Sequence, residues 1–318
     1  MSLEISTLFS VKGRVAVVTG GSSGIGLMIA KAPQGLVTNG ANVYIVALPT
    51  DPITPTVSTL NALATQTLSS GSAHGYACDL SSKAAIANLA AYISSRENGT
   101  LDILVSNAGI RRDPPVQCDV LTAPLSTLQE SMFSRTEEDW EDTFNINTTA
   151  HYFLGVAFLP LLAQAAAAGP GGDGSRCMGA GRGAEEGRGV MLVMSSCASM
   201  HNVTNVDLSS YAASKAATDH LVRLLAAKFA RWYVRVVGVN PGCALLMRDA
   251  VVPSKMNPVG AEGNMFAGLF DKVPARRAGR EEDLAGTVLY LVSKAGAYVD
   301  GVSLCVDGGR VLVANGQE

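Results

Sequence analysis

A phenol and an ammonium lie four residues apart in the stretch SSYAASKAATDHL, residues 209–221. Ala, Leu, Lys and Arg dominate from Tyr211 to Trp232 without Gly or Pro, which predicts a helix. Because positions i and i+4 share a helix face, the side chains of Tyr211 and Lys215 can lean toward one point. Lowering a phenol pKa from about 10 to about 7 takes roughly 4 kcal/mol, which one ammonium about 4 Å away supplies at an effective dielectric constant of about 20. The pair can therefore form a proton donor matched to neutral pH.

Taken singly, such a pair is more often a packed Tyr and a solvated Lys, because this spacing arises readily by chance. Ser209 and Ser210 are likewise explained by helix capping. The elements that must position the pair decide between these interpretations.

Seven short, nearly continuous apolar runs alternate with helix-compatible segments along the chain. Continuous apolar character is typical of strands covered on both faces, and strands that alternate with helices indicate right-handed crossovers and a parallel sheet. The sequence therefore predicts a single α/β domain over residues 1–318, with a doubly wound parallel Rossmann sheet of about seven strands. The predicted strands are 14–19, 42–47, 73–78, 101–106, 189–195, 234–239 and 302–307, and the predicted helices are 24–39, 55–70, 81–97, 137–168, the one that carries Tyr211, and 281–294.

The segment TGGSSGIG follows the first predicted strand and opens a helix, with Gly20, Gly24 and Gly26 in the spacing G-x-x-x-G-x-G. Glycine is needed where a strand turns sharply into a helix and a diphosphate approaches the backbone N–H groups. An ordinary glycine turn is the alternative. The position after the first strand of a βαβ series favours a dinucleotide-binding turn.

Further short motifs follow in a fixed order, and each is weak by itself: SNAG at 106–109, NIN at 145–147, SS at 195–196 before YAASK, and NPG at 240–242. With the glycine turn, they make nearly the whole chain resemble the short-chain dehydrogenase/reductase family. Within it, SNAGIRRDPP and YAASKAATDHLVRLLAAKFA are most similar to fungal members grouped with rhamnolipid-type 3-oxoacyl-(acyl-carrier-protein) reductases. Sibling enzymes of fungal polyketide and alkaloid pathways look much the same.

The resemblance implies an oxidoreductase dependent on NAD(P)(H) that reduces a 3-oxoacyl thioester or polyketide-like ketone, free or carrier-bound, to a secondary alcohol. In its implied tetrad, Tyr211 would be the acid, Lys215 would bind the cofactor ribose, Ser196 would hold the substrate oxygen, and Asn147 would anchor a proton-relaying water. Asp79 would lie at the adenine side of the cofactor. The implied cofactor-binding residues are Gly20, Ser22, Ser23, Gly24, Ile25, Gly26, Asp79, Leu80, Asn107, Gly109, Tyr211, Lys215, Pro241 and Gly242.

Three features depart from the family pattern. Pro33 falls in the middle of the first predicted crossover helix, where proline costs about 3 kcal/mol unless the helix kinks or ends. CALLM at 243–247 stands where many relatives carry a Thr or Ser beside the nicotinamide. The spacing from Ser196 to Tyr211 is slightly long, which makes Ser199 an alternative hydroxyl. Pro33 and the missing hydroxyl beside the nicotinamide keep open a non-catalytic dinucleotide-binding scaffold or sensor as the second hypothesis.

Cofactor choice rests on the end of the second strand, VALPTD. An NAD enzyme normally has an acidic residue there, but Leu48 offers no carboxylate and Asp51 follows a proline. The basic residue expected of an NADP enzyme is also missing. A pocket without a repelling charge, with neutral hydroxyl donors, predicts NADPH over NADH by a modest factor. Those donors are Ser22, Ser23 and Thr50.

Three stretches are predicted to be loops. Residues 169–189 are nearly half glycine, and their charges show no partner pattern, which predicts a flexible surface loop; a phosphate-binding role is disfavoured because no strand precedes them. Residues 110–136 contain RRDPP and follow a strand's carboxyl end, so they are predicted to line a substrate site, with a solvated excursion equally open. Residues 243–275 are predicted to be a second substrate loop.

The formal charge of −3 and the scattered Lys and Arg residues disfavour nucleic acid or an acidic membrane as partners. The 6 cysteines and 4 histidines lack ligand spacing, which predicts reduced thiols and no metal site. The apolar window 151–169 is interrupted by Pro160 and is interpreted as a buried helix. The N-terminal stretch does not resemble a secretory leader, so a cytoplasmic protein is expected. Apolar residues on several faces of the helices at 140–168 and 211–232 predict a homodimer or homotetramer.

Overall fold

The computed structural model describes residues 4–31, 35–167, 182–201, 205–242 and 273–314. Seven strands there form one parallel sheet in the order β3-β2-β1-β4-β5-β6-β7. The connections run outward in both directions from the centre, which confirms the predicted doubly wound Rossmann sheet. The strands are β1 (Val15–Thr19), β2 (Asn42–Ala47), β3 (Ser72–Ala77), β4 (Ile103–Ser106), β5 (Val190–Met194), β6 (Arg235–Pro241) and β7 (Ser303–Val306).

Helices cover both faces of the sheet, because the central strands are apolar on both sides. One core layer packs α2, α3 and α10 on the sheet, and the other packs α4, α7 and α9. The helices are α1 (Ile5–Leu8), α2 (Gly24–Lys31), α3 (Ile53–Gln66), α4 (Lys83–Arg96), α5 (Leu125–Phe133), α6 (Glu137–Phe144), α7 (Ala150–Ala167), α8 (Arg182–Glu185), α9 (Ser209–Phe229), α10 (Glu281–Val292) and α11 (Arg310–Ala314).

Two predicted helices differ from the structure. Of the helix predicted over 24–39, the structure describes α2 from Gly24 to Lys31, and residues 35–40 form bends and turns. Pro33 lies outside the described residues. The helix predicted over 137–168 is interrupted at Asn145–Thr149 by a π-helical turn, which separates α6 from α7.

One helical stretch among the described residues, Glu137–Ala167, is long and apolar enough to cross a membrane by length and composition. Half of its most apolar window is buried within the protein (50%), and Leu154, Phe158 and Leu162 are fully buried. These side chains join α7 to the core on the same face as α4 and α9, which fits the predicted buried helix.

Most of the predicted Gly-rich loop at 169–189 lies outside the described residues, which resume at residue 182. Its C-terminal part forms α8 and a turn, and two of its charged side chains have partners, contrary to the sequence-based interpretation. Glu186 binds Lys294 at 2.7 Å, and Arg188 binds Asp102 at 2.7 Å. These ion pairs fix the chain where it enters β5.

Candidate active site

The predicted site residues meet at the edge of the sheet formed by the carboxyl ends of β1, β4, β5 and β6. Since all strands run parallel, the segments that follow them share one edge. The glycine turn follows β1, Asn107 follows β4, and Ser196 follows β5. Helix α9 contacts β6, the π-helical turn and the turn that begins at Ser196, and it brings Tyr211 and Lys215 to this edge.

The glycine turn leaves no room for side chains at its closest approach. Gly20 and Gly24 have φ angles of 63° and 50°, in the left-handed region that favours glycine. A β-carbon on Gly26 would lie 2.3 Å from the carbonyl oxygen of Gly20 and 2.7 Å from Nδ2 of Asn107. Helix α2 begins at this turn, so its free N–H groups and dipole favour a phosphate. The geometry therefore fits the diphosphate of the predicted dinucleotide.

Asn107 joins the end of β4 to the glycine turn. Its Nδ2 donates to the carbonyl oxygen of Thr19 at 2.9 Å and lies 3.4 Å from that of Gly20. The hydroxyl of Thr19 accepts from the N–H groups of Asn107 (2.9 Å) and Ala108 (3.2 Å). These bonds set the shape of the turn that would receive the cofactor.

Asn147 lies in the π-helical turn and is fully buried. Its Oδ1 accepts from the N–H of Ile110 at 2.8 Å, and its Nδ2 donates to the carbonyl oxygen of Ile110 at 2.9 Å and to Oγ of Ser214 at 3.0 Å. Its own carbonyl oxygen accepts from the hydroxyl of Thr218 at 2.5 Å. Asn147 therefore ties the segment after β4 to α9, and π-helical turns are frequent at functional sites.

The structure brings Tyr211 and Lys215 together on α9, as the i, i+4 spacing predicts. Nζ of Lys215 lies 5.8 Å from the centre of the half-buried Tyr211 ring and donates to the carbonyl oxygen of Met194 at 2.8 Å. A β-carbon on Gly109 would lie 3.3 Å from this Nζ, so the segment after β4 closes over the pair. Burial lowers the pKa of Lys215 to about 8, and the charge of Asp219 acts in the opposite direction. An ammonium with this pKa can exchange its proton near neutral pH.

The three serines after β5 differ in burial and in hydrogen-bond partners. Ser195 is buried and its hydroxyl donates to the carbonyl oxygen of Lys215 at 3.0 Å. Oγ of Ser199 lies 2.5 Å from Oδ2 of Asp219 and 2.8 Å from the carbonyl oxygen of Ser196. Ser199 is therefore committed to internal bonds and does not fit the role of alternative hydroxyl. The half-buried Ser196 is the serine that fits the tetrad.

Asp219 is a candidate that the sequence analysis missed. It lies one helical turn after Lys215, is 7% exposed, and accepts hydrogen bonds from three other elements. Its partners are Ser199 (2.5 Å), Asn240 (2.9 Å) and Ser303 (3.0 Å). The only local signal was a carboxylate at i+4 from the candidate lysine.

His151 on α7 is a second buried group that the sequence analysis did not single out. Its ring is 1% exposed, and its Nδ1 lies 2.6 Å from the hydroxyl of Ser106 at the end of β4. Burial, and then the charge of Lys215, lower the pKa of His151 well below its usual value. His151 is therefore a neutral polar group beneath the site.

The segment 110–136 is anchored at the start of α9, and it contains α5. Nε of Arg135 binds Oδ2 of Asp207 at 2.6 Å, and the two side chains are only 3% and 5% exposed. Oδ1 of Asp207 accepts from the N–H of Ser209 at 3.0 Å. Burial acts to raise the pKa of Asp207, but hydrogen bonds from Ser209 and Arg135 outweigh it and hold the pKa below its usual value. This ion pair joins the predicted substrate segment to the first turn of the helix that carries Tyr211.

The ends of β2 and β3 carry the outer part of the predicted cofactor site. Asp79 is exposed after β3 and accepts from the N–H of Ser81 at 2.9 Å, while Leu80 is buried. Oδ2 of Asp51 accepts from the N–H of Leu48 at 3.2 Å. The turn after β2 therefore returns a carboxylate to the end of the strand, where the sequence analysis expected none.

The three predicted hydroxyl donors differ in exposure. Thr50 is exposed and Ser23 is half-buried, whereas Ser22 is 1% exposed. Ser22 lies beneath the turn, and its carbonyl oxygen is 3.4 Å from the hydroxyl of Thr56. Ser23 and Thr50 are therefore the donors that solvent can reach.

A cavity of about 360 Å³ lies beside the carboxyl ends of β6 and β7, with Pro241 and Gly242 in its lining. A β-carbon on Gly242 would lie 2.5 Å from Cα of Asp307, so this position is as tight as Gly26. Residues 243–272, which include CALLM and most of the predicted second substrate loop, lie outside the described residues. Within the described ranges, no group of His, Cys, Asp and Glu side chains is arranged to hold a metal ion.

Comparisons with known proteins agree with this geometry. Residues 14–172 match the family model described as short chain dehydrogenase, and residues 175–310 match the one described as enoyl-(acyl carrier protein) reductase. The chain is 32% identical over 319 residues to the short-chain dehydrogenase/reductase VdtF of Byssochlamys spectabilis, covering 98% of this chain and 96% of that protein. It is 33% identical over 312 residues to PhomF of Diaporthe leptostromiformis, with the same two coverages of 98% and 96%.

A solved structure is similar over the whole fold. The NADP active-site complex of Pseudomonas aeruginosa RhlG matches with a TM-score of 0.71 and 29% identity, covering 96% of this chain and 98% of that one. This structure and the two fungal relatives confirm the resemblance drawn from the motifs.

Proposed function

The chain belongs to the short-chain dehydrogenase/reductase family, and on this premise we propose that it reduces a 3-oxoacyl thioester or polyketide-like ketone to a secondary alcohol with NADPH. Family membership makes the protein an oxidoreductase that binds a nicotinamide dinucleotide. The observation that carries the proposal is the convergence of Asn147, Tyr211 and Lys215 beside Gly109, next to a turn that fits a diphosphate. The scaffold hypothesis is set aside, because the relatives of this chain are named as dehydrogenases or reductases and because Asn147, Tyr211 and Lys215 lie together beside Gly109.

The cofactor would lie along the carboxyl edge of the sheet. Gly20, Gly24 and Gly26 would hold its diphosphate against the N-terminus of α2, and Pro241 and Gly242 would line its nicotinamide side. When bound, the reduced nicotinamide supplies a hydride to the carbonyl carbon. These residues orient the cofactor and bring no reactive group of their own.

The protein supplies the proton and fixes the substrate oxygen. Tyr211 donates its phenolic proton to the carbonyl oxygen, and the Lys215 ammonium stabilises the phenolate that remains. Ser196 donates a hydrogen bond to the same oxygen and so orients it toward Tyr211. Asn147 binds the backbone N–H and carbonyl oxygen of Ile110, which fixes the segment after β4 relative to α9.

Two observations support an acyl or polyketide-like ketone. The family model that matches residues 175–310 is named for a reductase that acts on substrates bound to acyl carrier protein. The segment 110–136, anchored through Arg135 and Asp207, adds a wall beside Tyr211 that can contact an extended substrate. Both support a substrate longer than a small ketone, free or attached to a carrier.

A substrate panel tests this proposal. Purified protein is incubated with NADPH or NADH and with β-keto thioesters, cyclic ketones and quinones, and cofactor oxidation is followed by absorbance. We expect turnover with the β-keto thioesters or extended ketones. Cofactor binding without turnover on the whole panel would instead favour the scaffold hypothesis.

The preference for NADPH is expected to be modest, because the turn after β2 carries charges and donors of opposite effect. Ser23 and Thr50 can donate to a 2′-phosphate, and the RhlG complex holds NADP. Asp51 repels that phosphate from its place at Leu48. The Asp51→Asn variant keeps an acceptor for the Leu48 N–H but removes the negative charge. Its ratio of kcat/KM for NADPH over NADH should therefore rise about tenfold, as expected for the loss of one close like charge. A tenfold advantage for NADH in the wild type would overturn the proposed preference and assign the ribose to Asp51.

The proposed oligomer rests on apolar side chains of the same two helices that the sequence analysis identified. Tyr152 and Val156 on α7 are 41% and 44% exposed, and Leu224 on α9 is 42% exposed. These apolar side chains support a homodimer or homotetramer through α7 and α9. A cytoplasmic location is proposed from the N-terminal sequence alone. Light scattering at micromolar concentration and cell fractionation test the two points. A monomer in light scattering would refute the proposed oligomer, and recovery in the membrane fraction would refute the cytoplasmic location.

A further inference from the structure

The carboxylate of Asp219 is a buried junction between four elements of the active-site edge. It lies on α9 and accepts from Ser199 after β5, from Asn240 on β6 and from Ser303 on β7. A carboxylate that is 7% exposed needs such bonds to offset the loss of water. Its partners come from positions far apart in the chain, so the group is a tertiary junction and not a helix-surface charge.

The junction fixes the turn that presents Ser196. Nδ2 of Asn240 lies 3.1 Å from the carbonyl oxygen of Ser196, 3.0 Å from Oγ of Ser199 and 2.9 Å from Oδ2 of Asp219, so its two hydrogens are shared among these three acceptors. The turn is therefore held at two points by groups that are themselves bound to the carboxylate. Asn240 also immediately precedes Pro241, so the same carboxylate fixes the end of β6 beside the nicotinamide side.

The junction also places a carboxylate one helical turn from Lys215 on the same face of α9. Burial lowers the pKa of Lys215 to about 8, and Asp219 opposes that effect. Within the part of the chain that the structure describes, Tyr211 on the same helix and the neutral His151 on α7 also face Lys215. Near Asp219, the thiol of Cys305 on β7 has a raised pKa because of burial, followed by the charges of Asp307 and Asp219. Cys305 is therefore a thiol at neutral pH and brings no charge.

We propose that Asp219 is a positioning residue of the active site: its carboxylate holds the Ser196 turn against β6 and keeps the Lys215 ammonium charged beside Tyr211. The role of Ser196 and Tyr211 in this statement rests on the proposed ketone reductase activity. The hydrogen bonds of Asp219 are observed in the structure and do not depend on that proposed activity. Asp219 touches neither substrate nor cofactor in this role and acts through its neighbours.

The Asp219→Asn variant tests the charge. Without the carboxylate, the pKa of Lys215 falls further, less ammonium remains to stabilise the phenolate, and Tyr211 ionises at higher pH. We expect Tyr211 to ionise about one pH unit higher and the alkaline decline of kcat to begin about one pH unit lower than in the wild type. Ionisation is measured without cofactor as near-ultraviolet phenolate absorbance, as the difference between each protein and its Tyr211→Phe derivative. Unchanged curves in folded Asp219→Asn would overturn the proposal.

Two serine variants test the positioning part and keep the proposal falsifiable if Asp219→Asn fails to fold. Ser199→Ala and Ser303→Ala each remove one hydrogen bond to the same carboxylate, but only Ser199 lies in the Ser196 turn. We expect Ser199→Ala to lower kcat about tenfold without moving the pH profile, and Ser303→Ala to have a clearly smaller effect. Equal effects of the two variants on kcat would refute the positioning role.

The phenolate titration also separates this inference from the proposed function. If the wild type turns over no substrate of the panel, the reductase proposal fails, yet the titration still decides whether Asp219 controls Tyr211. If the wild type is active and Asp219→Asn shows wild-type pH behaviour, the inference alone fails. Circular dichroism of each variant confirms that folded proteins are compared.

Discussion

Alanine at Gly26 is expected to weaken cofactor binding and stability, although Ala is the better helix former. The added β-carbon would lie 2.3 Å from the carbonyl oxygen of Gly20 and 2.7 Å from Nδ2 of Asn107, whereas ordinary contacts begin at 3.4 Å. The start of α2 or the Gly20 carbonyl must therefore move by about 1 Å. Neither neighbour is the free end of a flexible side chain, because Asn107 is bonded to Thr19.

The size of the effect follows from two opposing contributions. Strain from overpacking costs about 1–3 kcal/mol, and the better helix propensity of Ala returns about 1 kcal/mol. We therefore expect Gly26→Ala to lose up to about 2 kcal/mol of stability, or several degrees in Tm at roughly 2–4 °C per kcal/mol. Because the displaced backbone belongs to the turn that would hold the diphosphate, the Kd for NADPH should rise at least about tenfold, or about 1.4 kcal/mol.

Gly286 in α10 provides a matched control, because a β-carbon there would have nothing within 4 Å. Gly286→Ala should gain about 0.5–1 kcal/mol from helix propensity and leave cofactor affinity unchanged. Thermal denaturation measures the stability of both variants, and fluorescence titration with NADPH measures affinity. If Gly26→Ala binds NADPH as tightly as the wild type and unfolds at the same temperature, the assignment of this turn to the diphosphate is wrong.

Three further predictions concern the proton donor and the segment beside it. Tyr211→Phe should keep cofactor binding and lower turnover about 10²–10⁴-fold, measured by steady-state kinetics; retention of a third of the activity would contradict its role as acid. Turnover should fall as the pH rises through about 8, because Lys215 loses its proton there and no longer stabilises the phenolate; a kcat that is flat to far higher pH would exclude this cause. Arg135→Met leaves Asp207 buried without its cation and should lower the free energy of unfolding, measured by chemical denaturation, by about 3–5 kcal/mol. The control Arg112→Met breaks an exposed ion pair and should lower it by less than about 1 kcal/mol. Equal losses in the two variants would show that Arg135 is not a structural anchor.

Local patterns in the sequence were sufficient to predict the sheet, the glycine turn and the meeting of Tyr211 and Lys215 on one helix. Near-continuous apolar runs predicted all seven strands, because a strand buried on both faces needs apolar residues at successive positions. The i, i+4 spacing predicted that Tyr211 and Lys215 meet, because a helix fixes that geometry from neighbouring residues alone. The helix predicted through residues 24–39 was too long, since apolar composition gave no end point before the turns at 35–40.

Only the tertiary structure decided which polar groups are free to act. Ser196 and Ser199 are alike in sequence, but the approach of α9 and β6 commits the hydroxyl of Ser199 to Asp219, whereas the hydroxyl oxygen of Ser196 accepts from the N–H of Ala198. The turn after β2 returns Asp51 to the strand end, although the residue lies beyond a proline in the sequence. Helix and strand periodicity depends on neighbours along the chain, and so the sequence alone determines it. Hydrogen-bond partners, burial and the pKa of Lys215 depend on segments brought together by the order of the strands, and no local pattern encodes them.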